Sequence, residues 1–121
     1  MFHETWIAGV RGHFPGEPGP GCATPWEERP QWEREAAVAV YEQVREFLRA
    51  SGGSAARLTR EQKGRYVALC WIAQTYRRLG EPKPGQVADW ADLPEWRRQT
   101  DSDLFEAVEK SVPEPIDPGA R

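Results

Sequence analysis

The chain reads as all-α: two pseudo-symmetric helix–loop–helix repeats packed into one compact four-helix domain with long Pro/Gly loops. Three observations predict this. The first is an internal repeat. Trp26, Pro30, Trp32, Arg34, Glu42 and Val44 return 64 residues later as Trp90, Pro94, Trp96, Arg98, Glu106 and Val108. Glu17-Pro18-Gly19-Pro20-Gly21 returns at the same spacing as Glu81-Pro82-Lys83-Pro84-Gly85, and Trp6-Ile7-Ala8 returns at 65 as Trp71-Ile72-Ala73. All 6 tryptophans therefore fall into matched pairs. The second observation is apolar spacing of three and four, the period of a helix with one buried face. The third is that no segment alternates as a half-buried strand does.

The elements follow in order. A short first helix is expected over Phe2 to Arg11, with Gly9 and Gly12 weakening its end. From His13 to Arg29, prolines at 15, 18, 20 and 25 forbid regular helix while the glycines permit sharp turns. The second helix opens at Pro30, where a missing N–H does no harm. It runs to about Ala50, on a stripe of Trp32, Ala36, Val40, Val44, Phe47 and Leu48, and stops at Ser51-Gly52-Gly53-Ser54. Residues 51–56 form the hinge between the repeats. The third helix opens at Thr59 with Gln62 three residues on, the spacing of a capping box that satisfies two orphan backbone donors. It should reach Leu79 and stop at Gly80. Its apolar residues cover more than one face, which predicts a central helix. A second Pro/Gly segment spans Glu81 to Leu93. The fourth helix opens at Pro94 and carries Trp96, Thr100, Leu104, Val108 and Val112 to about Ser111. Residues 1–112 make a single domain of two repeats, 2–50 and 59–112, and the proline-marked residues 113–121 make a flexible tail. Two half-covered units bury their apolar faces by packing on each other.

The 121 residues suffice for one core without metal or disulfide. With 39% hydrophobic and 29% charged residues, the composition is that of a water-soluble globular protein. The net charge of −3 argues against a nucleic-acid partner, whose phosphates call for excess Lys and Arg. No apolar run is long enough for a membrane span. The first residues lack the basic start and apolar stretch of a signal peptide. A cytoplasmic location is therefore expected, with Cys22 and Cys70 as free thiols.

No catalytic set, metal site or cofactor is predicted. The glycines of residues 16–21 are interrupted by prolines that delete N–H donors, and no strand precedes them, so they make a poor phosphate cradle. His3, His13 and Cys22 fit no zinc-ligand spacing. Ile7 stands where a zinc-protease motif beginning at His3-Glu4 needs its second histidine. Cys70, on the most apolar helix, reads as inert packing. A thiol enzyme would have to use Cys22 with His13, the one Cys/His pair close in sequence.

Four tryptophans, Trp6, Trp32, Trp71 and Trp96, lie on helical stripes and read as core. Trp26 and Trp90 close the two loops just before the helices, where an indole pins a loop or walls a pocket. The expected recognition surface is the groove between the loops and the starts of the second and fourth helices. Arg11, Trp26, Arg34, Trp90 and Arg98 are its expected lining, the arginines offering charge to an anionic group. Where the second copy has Asp101 and Asp103, the first has Ala37 and Ala39. The carboxylates, two apart on a helix, point to different faces. They read as a surface that one copy turns to water. The alanines read as a face for a protein partner or a second copy of the chain, giving a homodimer or adaptor as the alternative function.

His3-Glu4-Thr5-Trp6 on a first helix resembles the "His-Glu-x-Trp" of the RyR domain, the repeat module of ryanodine receptors that also occurs in bacterial and phage proteins. Pro25-Trp26-Glu27-Glu28-Arg29 and Asp89-Trp90-Ala91-Asp92-Leu93 are similar to its "Pro-Tyr/Trp-x-x-Leu" segment. The resemblance covers residues 2–48 and 66–112. It implies a non-enzymatic module that docks onto a protein or binds a small, nucleotide-like ligand.

Overall fold

A computed structural model describes residues 2–17 and 24–112. The tail from 113, and Cys22 with its loop neighbours 18–23, lie outside the described residues. The described residues form four α-helices and no strand: α1 (Phe2–His13), α2 (Gln31–Ala50), α3 (Arg60–Arg78) and α4 (Glu95–Ser111). Short 3-10 turns punctuate the connections at Trp26–Glu28, Ser54–Arg57, Pro84–Gln86 and Trp90–Asp92.

Local chemistry sets these boundaries. Thr59 and Gln62 form the reciprocal capping box, with Thr59 Oγ1 accepting from the Gln62 N–H at 3.1 Å and Gln62 Oε1 accepting from the Thr59 N–H at 2.8 Å. Pro30 and Pro94 sit as extended N-caps of α2 and α4. Each follows a 3-10 turn opened by a tryptophan, whose carbonyl accepts from the N–H of the residue before the proline. The repeat is thus visible at this local level. After α2 the chain reverses through Gly52 and Gly53 at φ 59° and 94°, left-handed angles that a side chain resists.

Packing does not treat the two halves alike. α3 lies along α4, and α1 lies along α4 as well, whereas α1 and α2 scarcely meet. The central helix is α4, not α3 as its apolar circumference suggested. Leu69 and Tyr76 of α3 are exposed, while α4 buries Thr100, Asp101, Ser102, Leu104, Phe105 and Val108. The reason is close approach. A Cβ on Gly9 of α1 would stand 2.7 Å from Thr100 Oγ1. A Cβ on Gly64 of α3 would collide with Ser102 Oγ and come within 2.5 Å of the Trp90 ring. Gly9 therefore seats α1 on α4 rather than ending it, and α1 runs on to His13.

The core gathers Val40, Val44 and Leu48 of α2, Val67 and Cys70 of α3, and Leu104, Phe105 and Val108 of α4. Phe47 stacks on Tyr66 at 4.7 Å beside it. These residues occupy the C-terminal halves of α2 and α4. The N-terminal halves of the same helices enclose something else.

Candidate functional site: a tryptophan-lined cavity

At the other end of the bundle lies a cavity of about 150 Å³. Every helix contributes. Phe2, His3 and Trp6 come from α1, Trp32, Glu33 and Ala37 from α2, Trp71 and Thr75 from α3, and Arg97 from α4. The two loops add Trp26, Arg29 and Gln86. Trp6, Trp32 and Trp71 wall the cavity, and Trp6 and Trp71 also pack against the hydrophobic core, as their stripe positions predicted. Each is half-buried, and the buried core is built from valine, leucine and phenylalanine instead.

Edge contacts fix the aromatic walls. Phe2 meets Tyr41 at 6.2 Å and Trp71 at 6.3 Å. Trp96 backs Trp6 at 6.0 Å and is itself backed by Phe14 at 5.1 Å. His3 lies 5.4 Å from Trp26, and burial, with help from the Arg29 charge, pushes its pKa below the usual histidine value. Its imidazole is therefore neutral at pH 7.

Both guanidiniums at the cavity are engaged. Arg29 Nη1 donates to Glu33 Oε2 at 3.2 Å. Arg97 lies over the Trp6 ring, 5.1 Å from its centroid, and its Nε stands 3.6 Å from Asp101 Oδ1. That distance is an ion pair but no hydrogen bond. Asp101 is 0% exposed, and neither of its oxygens has a hydrogen-bond partner. Burial pushes its pKa up to about 6, with Arg97 pulling the other way. Asp101 was expected on a wetted surface, and here the structure corrects the sequence. Only its neighbour Asp103 reaches the surface, where it accepts from Arg60 at 2.9 Å and meets His13 Nε2 at 2.9 Å.

The five residues expected to line one groove are distributed over separate surfaces. Trp26 reaches the cavity and also borders a shallow outer cleft with Arg34, Val38, Ala39 and Arg78. Trp90 and Arg98 border a polar cleft with Arg60, Glu95 and Ser102. Arg11 is exposed on α1 and lines none of these. The cavity still lies where loops and helix starts meet. Successive helix positions point about 100° apart, so Glu33 and Arg97 face it while their neighbours Arg34 and Arg98 do not. Ala37 is buried against the cavity, so of the expected Ala37/Ala39 partner face only Ala39 is left partly exposed, beside the exposed Val38.

A wider groove of about 490 Å³ adjoins the cavity and shares Phe2, His3, Trp26 and Ala37 with it. Tyr41 and Val38 extend its apolar floor, and Glu4 and Glu27 are its charged residues.

Burial pushes the Cys70 thiol up from its ordinary value, so it stays protonated. Among the described residues no group of three or more His, Cys, Asp or Glu side chains is placed to hold a metal ion, and no helix is long and apolar enough to cross a membrane. Neither a protein-family model nor a curated protein nor a solved structure matches the chain.

Proposed function

We propose that this chain is a small, non-catalytic binding module whose tryptophan-lined cavity takes one ring-sized ligand. The observation that carries the reading is the convergence of Trp6, Trp26, Trp32 and Trp71, from three helices and a loop, on one cavity. Tryptophans that served only to fill space would close on one another, as interiors are packed to crystal-like density. A cavity of about 150 Å³ is below the usual drug-sized range of roughly 300–1,000 Å³ and suits a single ring. Glu33, Arg29 and Gln86 supply the few polar groups that orient a ligand in such a site. The RyR-like reading is supported by the placement of His3 and Trp6 of the His-Glu-x-Trp segment in this lining. A cytoplasmic setting belongs to the proposal and is supported by the free, buried Cys70 thiol.

The test is NMR observation of the indole N–H signals during titration with 2-phenylethanol, a neutral ring compound. Signals of Trp6, Trp26, Trp32 and Trp71 should move, and that of Trp90, outside the cavity, should stay. A ligand of nine heavy atoms should bind with Kd on the order of 0.1–1 mM. Ala37→Leu, which fills the cavity, should abolish the response while leaving the Trp90 signal in place. Uniform small shifts in all signals, unchanged by Ala37→Leu, would remove the cavity as the site.

A second reading has one observation in its favour. Val38 is 54% exposed beside Ala39 on α2, an apolar contact surface for a protein partner or a second copy. Ala39→Glu would leave the light-scattering mass unchanged at micromolar concentration if the chain does not self-associate there.

A further inference from the structure

A buried carboxylate stands one side chain away from the cavity. Arg97 lines the cavity, its guanidinium lying over the Trp6 ring at 5.1 Å from the centroid. Its Nε lies 3.6 Å from Asp101 Oδ1. Asp101 itself borders neither the cavity nor the adjoining groove. It is fully buried, and neither of its oxygens accepts a hydrogen bond. The Arg97 Nε is buried without a hydrogen bond as well. Among the described residues no charge of α1, α2 or α3 acts on Asp101; the charge that acts on it is Arg97, one turn back on α4. Carboxylate, guanidinium and indole thus form one chain from the interior to the cavity wall.

We propose that Asp101 is a positioning residue for the cavity: as a carboxylate it holds Arg97 against Trp6, and as a neutral acid it leaves that wall loose, so that binding a ring favours the ionised form. The inference rests on the cavity reading above. A guanidinium keeps its charge at every pH the fold meets. Protonating Asp101 therefore removes the attraction between the two groups and leaves Arg97 its contact with the indole face. A long side chain released in this way regains rotamer freedom. It can also turn toward the water it already meets, since it is 25% exposed. A ring that packs on this wall must then order the side chain again. Burial brings the titration of Asp101 to about 6, near neutrality. One other group on the cavity takes up a proton in acid: His3 of α1, whose pKa is lowered. Glu33 of α2 and Arg29 are bound to each other, and α3 brings Trp71 and Thr75, which do not titrate.

The test titrates 2-phenylethanol, which has no charge of its own, and follows the indole N–H signals at pH 5 and pH 7.5. Binding should be about threefold tighter at pH 7.5, the scale of an ion pair that water partly reaches. Carbon NMR of the Asp101 carboxyl reads the same linkage from the proton's side. Coupling is reciprocal, so saturating ligand should lower the Asp101 midpoint by about half a pH unit. This second readout needs no substitution, and the ring protons of His3 report its titration separately. Asp101→Asn keeps the shape without the charge, and it should bind at pH 7.5 about threefold more weakly than the wild type. If the ligand binds equally at both pH values, or more tightly at pH 5, the positioning inference is wrong and the cavity reading stands. The same holds if the ligand moves the His3 midpoint and leaves that of Asp101 in place. If 2-phenylethanol moves none of the signals of Trp6, Trp26, Trp32 and Trp71 at either pH, both fall together.

Discussion

Asp101 stands where a carboxylate is costly. It is fully buried and lacks hydrogen bonds, and its one charged neighbour is too long for a hydrogen bond. Its pKa rises from 3.8 in the unfolded chain to about 6 in the fold. Between those values the folded protein keeps a proton that the unfolded chain has released. Raising the pH therefore favours unfolding in that window. The stability linked to Asp101 is full below pH 4 and is lost as pH rises through 6. Its size is on the order of 2–3 kcal/mol. Asp101→Asn cannot titrate, so urea midpoints of the two proteins should diverge from pH 4 to pH 7, with the wild type losing ground. Parallel pH profiles would mean that Asp101 ionises as easily in the fold as out of it. The sequence did place Asp101 and Asp103 on different faces of one helix. Which face was inside depended on α1 and α3 flanking α4, and no periodicity within α4 carries that information.

Among the elements, start signals were the most legible. Proline and threonine caps act through the backbone of their own turn, so the openings of α2, α3 and α4 follow from a few adjacent residues. Helix contacts were less legible because the close crossings use small residues that carry little hydrophobic signal. Gly64 illustrates this. It is an ordinary weak position by propensity, yet Ser102 and Trp90 occupy the space its side chain would need. Part of that obstruction is the Ser102 backbone nitrogen, 3.1 Å from the Cβ position, which cannot rotate away. Gly64→Ala should cost about 2–3 kcal/mol in urea unfolding, the range for overpacking a tight contact. Gly12, also helical, has nothing within 4 Å. Gly12→Ala should instead stabilise α1, by about 0.5–1 kcal/mol. If both substitutions behaved alike, propensity rather than the α3–α4 crossing would govern Gly64.

For the whole molecule, the repeat predicted two equivalent units, and equivalence holds only locally. Trp26 and Trp90 open matching turns before matching prolines. One of these turns walls the cavity while the other packs its indole over Gly64. The four tryptophans of the cavity were visible in the sequence as members of matched pairs. Trp6 and Trp71 do pack on the core, as their stripe positions predicted, but a stripe position does not reveal that the same rings also wall an open space. The asymmetry has a folding consequence. In the second unit α3 and α4 pack along each other, so a fragment of residues 59–112 keeps much of its native contact. In the first unit α1 and α2 scarcely touch: α1 rests on α4, and α2 rests on α3. A fragment of residues 2–53 thus has almost no partner for either apolar stripe, and isolated helices of 12 and 20 residues are marginal in water. Circular dichroism should show substantial helix in the 59–112 fragment and little in 2–53. Mixing the two should raise helicity above the sum of the separate spectra, because α1 and α2 then find α4 and α3. Equal helix in both fragments, with no gain on mixing, would mean that each repeat folds alone and that the packing described above is not what holds the first one.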